Sequence, residues 1–220
     1  MLKYLISIVF LALMFASQAS AVTLFSDNFN RTPDEDPIAG TWAIVTSAQN
    51  VQILSNAVTG STTNERGAAY EATAIADNQW AQATLTLITF GQGGIILRAS
   101  AVAETYYSCR ASPGNGVYEY QIYKIVAGSY TAIGNSAGTA WVDGDVIRCE
   151  IVNYDISIYR NGVLVLTAND GGSSIASGKA GMDFGASNAI GDFALDDFSS
   201  GDFTTGGSPS RRRGGVVMFQ

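Results

Sequence analysis

The chain has 220 residues, of which 47% are hydrophobic and 14% charged, and its formal net charge is −7. It contains no histidine, which excludes Ser-His-Asp and Cys-His nucleophile systems and leaves no imidazole base or metal ligand. Residues 22–206 carry 8 Lys and Arg against 19 Asp and Glu, so nucleic acid, whose binding requires phosphate neutralisation, is not an expected partner.

Residues 1–21 have the pattern of a secretory signal peptide. Lys3 supplies a positive charge, residues 4–15 form an apolar run too short to span a bilayer, and Ala19-Ser20-Ala21 is an A-x-A cleavage site. We therefore expect a secreted protein that begins at Val22 and has no membrane span after cleavage. A membrane anchor is the alternative interpretation.

Short strands are predicted throughout residues 22–203, with turn residues between them and no sustained helical period. About 185 residues suit a single all-β domain, a sandwich or a barrel. The Asn161-Gly162 pair favours a type I′ turn. The predicted strands are 22–29, 42–45, 51–54, 68–71, 79–88, 94–100, 105–111, 117–126, 129–133, 145–152, 155–160, 163–168, 179–184 and 191–198.

Residues 204–220 differ in composition from the preceding domain. A Gly/Ser-rich linker is followed by Arg211-Arg212-Arg213 and a short apolar end. Such a segment is typical of a flexible tail. The three arginines could also contact an acidic surface.

Alternation along five predicted strands separates an apolar side from a mixed side. Cys109 and Cys149 both lie on the apolar side, which is expected to form the core. An even cysteine count in a secreted chain favours a disulfide between them, and two buried thiols are the alternative.

The mixed sides of these strands combine aromatic and planar polar groups. Flat aromatic rings beside such groups suit sugars, which present apolar C–H faces and rings of hydroxyls. The alternative is a solvated sheet face, which gives the same alternation. The candidate ligand-binding residues are Trp80, Arg98, Tyr106, Arg110, Glu119, Gln121 and Tyr123.

Matched segments stand at the two ends of the predicted domain: residues 24–31 (LFSDNFNR), 181–184 (GMDF) and 190–198 (IGDFALDDF). This layout resembles the concanavalin A-like lectin/glucanase (LamG-like) jelly-roll superfamily over residues 22–203. The resemblance implies an all-β antiparallel sandwich whose first and last strands are close together. It also implies a polysaccharide or other glycan as partner, bound on the concave sheet.

The resemblance further implies a structural Ca²⁺ held by a late-strand Asp and by oxygens near the first strand. Asp27, the carbonyl of Gly40, Asp196 and Asp197 are the candidate ligands, since Ca²⁺ accepts six to eight oxygens. The alternative is that these acids cap turns and are solvated.

Catalytic motifs of the superfamily are missing. The chain has no Glu-x-Asp-x-x-Glu strand, and the lyase strand that needs histidine cannot be present. A carboxylate pair of Glu119 with Glu150 or Glu104 is left open. The leading hypothesis is a secreted, non-catalytic carbohydrate-binding or adhesion module. The alternatives are a polysaccharide hydrolase or lyase with an unrecognised site, and a structural surface or virion component.

Overall fold

Two antiparallel sheets pack face to face in the computed structural model, which describes residues 20–62, 67–112, 119–185 and 189–204. All the regular secondary structure in these ranges is β-strand, which confirms the predicted all-β antiparallel β-sandwich. The strands are β1 (Ser20–Asp27), β2 (Trp42–Ile44), β3 (Val51–Leu54), β4 (Ala57–Gly60), β5 (Gly67–Glu71), β6 (Gln79–Ile88), β7 (Gly93–Ala99), β8 (Tyr106–Ala111), β9 (Tyr120–Val126), β10 (Ser129–Ser136), β11 (Val146–Val152), β12 (Asp155–Arg160), β13 (Val163–Asn169), β14 (Lys179–Phe184) and β15 (Phe193–Thr204).

The eight-stranded sheet has the order β13-β12-β11-β6-β15-β4-β3, with β1 also paired to β15. The seven-stranded sheet has the order β10-β9-β8-β7-β14-β5-β2. Each predicted strand corresponds to an observed strand. β4 was not predicted; it pairs with β3 across a turn in which Ser55 and Asn56 both have positive φ.

The first and last strands are neighbours, as the resemblance implied. Val22 pairs with Asp202 and Asp27 pairs with Phe198 in an antiparallel ladder. The indole of Trp42 packs edge-on against Phe198, with ring centroids 5.1 Å apart. Both rings belong to the core cluster beside the β1–β15 pair.

The Cys109–Cys149 disulfide joins the two sheets and confirms the predicted bond. Cys109 lies on β8 of the seven-stranded sheet, Cys149 lies on β11 of the eight-stranded sheet, and neither is exposed. Side chains on the predicted apolar sides of the strands lie with the two cysteines in one core cluster. They include Ala81, Ala83, Leu85, Ile95, Leu97, Tyr107, Ala111, Tyr120, Ile122, Ile147 and Ile151.

A bulge in β7 interrupts the predicted alternation. Lys179 pairs with Ala99 and Gly181 with Ile96, so Leu97 and Arg98 together face a single residue of β14. Arg98 has a φ of +54°, and Ala99 packs in a second cluster on the outer side of the sheet instead of in the core. The extra residue shifts the alternation by one position beyond Leu97.

The Asn161-Gly162 turn has the predicted conformation. Both residues have positive φ, 51° and 78°, and Arg160 pairs with Val163 across a two-residue loop, as a type I′ turn requires. The Asn161 amide nitrogen also donates to Asp145 at 2.7 Å. The turn is thereby tied to the start of β11.

Residues 1–19 of the predicted signal peptide (1–21) and residues 205–220 of the predicted tail (204–220) lie outside the described residues. Ser20 and Ala21, which precede the predicted cleavage site, begin β1 and pair with Thr204 and Phe203. Among the described residues, no helix has the length and apolarity that a membrane crossing needs.

Candidate functional site: the outer face of the seven-stranded sheet

A buried ion pair lies on the outer face of the seven-stranded sheet, the side turned away from the core. Arg110 of β8 and Asp183 of β14 both pair with Gly94 of β7, which lies between them without a side chain. The Arg110 guanidinium contacts Asp183 directly through Nη2, and its Nε lies 3.0 Å from Asp183 Oδ2. The Ser108 hydroxyl lies 2.9 Å from Asp183 and accepts from Arg110 Nε at 3.0 Å.

The ion pair is almost completely removed from water, with Arg110 and Asp183 each 1% exposed. Burial alone would lower the pKa of Arg110, but the attraction of Asp183 outweighs it, and the pKa of Arg110 is raised. The guanidinium is therefore a permanently charged, fixed group. Asp183 cancels the charge of this guanidinium. The group therefore holds its neighbours in place rather than attracting distant anions.

Two tyrosine rings flank the Arg110 guanidinium, at 5.3 Å for Tyr123 and 5.4 Å for Tyr130. The rings are 6.2 Å apart and nearly perpendicular. The Tyr130 hydroxyl lies 3.0 Å from that of Tyr106 and donates to Glu104 at 3.1 Å. We call Tyr106, Ser108, Arg110, Tyr123, Tyr130 and Asp183 the arginine–tyrosine cluster.

Two acceptor atoms beside this cluster have no donor among the described residues. Gln121, which pairs with Arg110 across β8 and β9, is 6% exposed, and its Oε1 is buried without a hydrogen bond. Oε2 of Glu119, which immediately precedes β9, is also buried without a partner. Buried polar atoms are nearly always hydrogen-bonded, so these two oxygens lack the donor that buried acceptors normally have.

The structure brings together five of the predicted ligand residues, Tyr106, Arg110, Glu119, Gln121 and Tyr123. Tyr106 itself is fully buried beneath Tyr130, and burial raises the pKa of its hydroxyl. The predicted alternative, a solvated face, does not hold for the centre of this sheet. Side chains there are buried, including Ile96, Ser108 and Arg110.

The structure does not bring Trp80 or Arg98 to this face. Trp80 lies on the outer face of the other sheet, where Arg148 stacks over its ring at 4.1 Å. The bulge in β7 turns Arg98 towards the strand connections, where it donates to the carbonyls of Asp77, Asn153 and Ile175 at 2.8–3.0 Å. Alternation separates inward from outward side chains, but it does not say to which sheet a strand belongs.

Ser108, Tyr130 and Asp183 were not predicted from the sequence. Ser108 was on the mixed side with Arg110, and a small hydroxyl there gave no signal by itself. Asp183 could have been noticed as a charged residue inside the apolar strand β14, since buried charges are normally paired.

The four candidate calcium ligands do not line a single recess. Asp27 and Asp197 line one recess of about 480 Å³ with Asn28, whereas Asp196 lines another recess and Gly40 lines neither. The Asp27 carboxylate already accepts from Arg31 at 2.7 Å and from the Trp42 indole at 2.8 Å.

Among the described residues, no group of three or more His, Cys, Asp or Glu is placed to hold a metal ion. Burial and the negative charges of Asp197 and Asp27 raise the pKa of Asp196. Asp27 is already paired with Arg31, and the four candidates do not line one recess, so together they do not form the shell of six to eight oxygens that Ca²⁺ takes. These residues therefore do not fit the predicted calcium site.

The carboxylates considered for catalysis are also far apart. Glu150 is on β11 of the eight-stranded sheet, where it pairs with Arg148 at 2.6 Å, while Glu119 precedes β9 of the other sheet. Glu104 contacts Tyr130 and Gly128 at the opposite end of β9 from Glu119. Seven strand residues span about 20 Å, several times the separation of carboxyl groups in a retaining glycosidase.

The fold is similar to several solved structures. The carbohydrate-binding module CBM66 from Bacillus subtilis matches with a TM-score of 0.56 and 14% identity, over 74% of this chain and 93% of that chain. A protein of unknown function with a galectin-like fold, also from Bacillus subtilis, matches with a TM-score of 0.58 and 10% identity, over 82% and 96% of the two chains.

A third similar structure comes from work on endo-acting O-glycanases of the human gut microbiota that initiate mucin breakdown. It has a TM-score of 0.54 and 13% identity, and the match covers 83% of this chain and all of that chain. No protein-family model matches the chain, and no curated protein matches it. At these identities the likeness shows the fold alone: an antiparallel β-sandwich of the jelly-roll type, similar to those of carbohydrate-binding and galectin-like domains.

Proposed function

We propose that the protein is a secreted, non-catalytic carbohydrate-binding module that binds a polysaccharide on the outer face of its seven-stranded sheet. The observation that carries the proposal is the arginine–tyrosine cluster beside two unpartnered acceptors. The similar folds of carbohydrate-binding proteins are consistent with the proposal. They do not carry it, because one fold can host many functions.

The parts of this face have different roles in the proposal. Tyr123 and Tyr130 are partly exposed, so their rings can stack on the apolar C–H face of a sugar. Gln121 and Glu119 accept hydrogen bonds from sugar hydroxyls. Arg110 and Asp183 do not contact the ligand and act as positioning residues that hold the rings in place.

Secretion is supported by two independent features. The first is the sequence of residues 1–21, and the second is the buried disulfide, because disulfides form and persist mainly in oxidising compartments. We include extracellular location in the proposal for these reasons.

The test is binding of the full secreted chain to a panel of polysaccharides, with released sugars assayed in the same samples. Tyr123→Ala is expected to weaken binding about tenfold, equivalent to about 1.4 kcal/mol. Tyr159→Ala is the matched control, since Tyr159 lies on β12 of the other sheet. Equal losses in both variants would contradict the assignment of the face, and sugar release would contradict the non-catalytic role.

A further inference from the structure

We infer that the glycan bound by this face is a neutral, hydroxyl-rich polysaccharide rather than one that carries carboxylates or sulfates. The inference rests on the proposed function and adds the class of ligand to it. Two separate observations lead to it, the engagement of the basic side chains and the chemistry of the unpartnered acceptors.

Every Lys and Arg of residues 22–206 that the structure describes is already engaged. Arg98 and Lys179 donate to backbone carbonyls, Lys179 at 2.8 and 2.9 Å. Arg31 keeps one buried nitrogen without a partner, Nη1, but it pairs with two carboxylates. The ion pairs are Arg31 with Asp27 and Glu35, Arg110 with Asp183, Lys124 with Asp170, Arg148 with Glu150, and Arg160 with Asp145.

The proposed binding face has no cation available for an anionic sugar among the residues described. Arg110 is buried and neutralised by Asp183, while Glu104 beside Tyr130 and Glu119 near Gln121 are partly exposed. A uronate or sulfate placed here would meet like charges and would have to displace an existing ion pair. Unpaired or like charges at an interface are a common way in which proteins reject a ligand.

The unpartnered acceptors require a donor. Gln121 Oε1 and Glu119 Oε2 are buried without one, and a sugar hydroxyl can donate, whereas an ionised carboxylate or sulfate can only accept. Leaving a buried acceptor unpaired is unfavourable, so an O–H group that reaches it gains more than it would in water. The face therefore complements hydroxyl groups in both charge and hydrogen bonding.

The experiment compares neutral and anionic forms of the same backbone with the full secreted chain. The pairs are hydroxyethyl and carboxymethyl cellulose, dextran and dextran sulfate, and methyl-esterified and de-esterified homogalacturonan. Whichever backbone binds, we expect the neutral form to bind at least about tenfold more tightly at roughly 150 mM NaCl. The affinity for the neutral form should change less than about twofold between roughly 20 and 500 mM NaCl, since no charge pairing contributes to it.

Variants with matched controls test the acceptor argument. Gln121→Leu is expected to lose about tenfold in affinity for the neutral form, whereas Gln82→Leu, a strand glutamine on the other sheet, should change it less than about twofold. Thermal melting verifies that both variants are folded.

Two outcomes are kept distinct. Equal or tighter binding of an anionic form would overturn this inference and leave the proposed function intact. No binding to any member of a broad panel would overturn the proposed function and this inference with it.

Discussion

Glu71 lies at the end of β5 with no exposed surface, between the two sheets. Its carboxylate accepts from the Thr73 backbone N–H and lies 3.3 Å from the Ser200 hydroxyl of β15. Burial raises the pKa of Glu71, and the hydrogen bonds and the nearby Lys179 only partly offset this. The fold thus favours the protonated form of this group more than water does.

The raised pKa predicts a pH-dependent effect of Glu71→Gln. The contribution of Glu71 to stability is complete below the pKa of the unfolded chain, near 4.5, and is lost as the pH rises through the higher folded pKa. Glutamine cannot ionise, so the variant should melt at a higher temperature relative to wild type at about pH 8 than at about pH 4. Thermal melts across this range measure the difference.

Asp145→Asn is a control with the opposite sign. Burial alone would raise the pKa of Asp145, but hydrogen bonds from Val142 N–H and Asn161 and the contact with Arg160 outweigh it, and the pKa is lowered. Its stabilisation is present above about 3.8 and is lost on acidification, so Asp145→Asn should be most destabilising at neutral pH. Parallel pH profiles for the two variants would contradict the explanation through their individual pKa shifts.

The β12–β13 hairpin shows how far local sequence specifies an element. Asn161 and Gly162 were predicted to form a type I′ turn, and their positive φ values agree. A Cβ added at Gly162 would meet only open space, so a side chain there would be limited by backbone conformation and not by crowding.

Gly162→Ala is therefore expected to lower the free energy of unfolding by about 1 kcal/mol, the cost of a left-handed residue with a side chain. Gly60→Ala is the control. Gly60 has no positive φ, its nearest non-local contact would be 3.4 Å from the new Cβ, and we expect a change within about 0.5 kcal/mol. Urea unfolding of both variants measures the difference, and equal losses would contradict a conformational cause.

Strand positions were predictable wherever alternating apolar residues are bounded by turn residues. The predictions failed where the alternation is short or interrupted. β4 has only four residues and follows Ser55-Asn56, a weaker turn signal than Asn161-Gly162. The bulge at Arg98 could not be predicted, because it is set by the pairing of β7 with β14, which is distant in sequence.

At the scale of the whole molecule, alternation predicted which side chains point inward but not how the strands are shared between two sheets. Trp80 and Tyr123 are both on the mixed side of their predicted strands, yet they lie on opposite outer faces of the sandwich. The candidate site was therefore predicted in part: Arg110, Gln121 and Tyr123 are together because β8 and β9 are neighbours in both chain and sheet. Asp183 joins them from a strand that lies 73 residues further along the chain.

The disulfide is the covalent link between the two sheets, and its removal tests how much it stabilises the molecule. Cys109 and Cys149 are 40 residues apart in sequence, and closing a loop of that length lowers the entropy of the unfolded chain by the equivalent of about 4 kcal/mol. The double variant Cys109→Ala/Cys149→Ala should lose unfolding free energy of this order in urea titrations. Because both cysteines are fully buried, wild type treated with a reductant under native conditions should keep its stability and serves as the control. A loss below about 1 kcal/mol would mean that core packing alone joins the sheets.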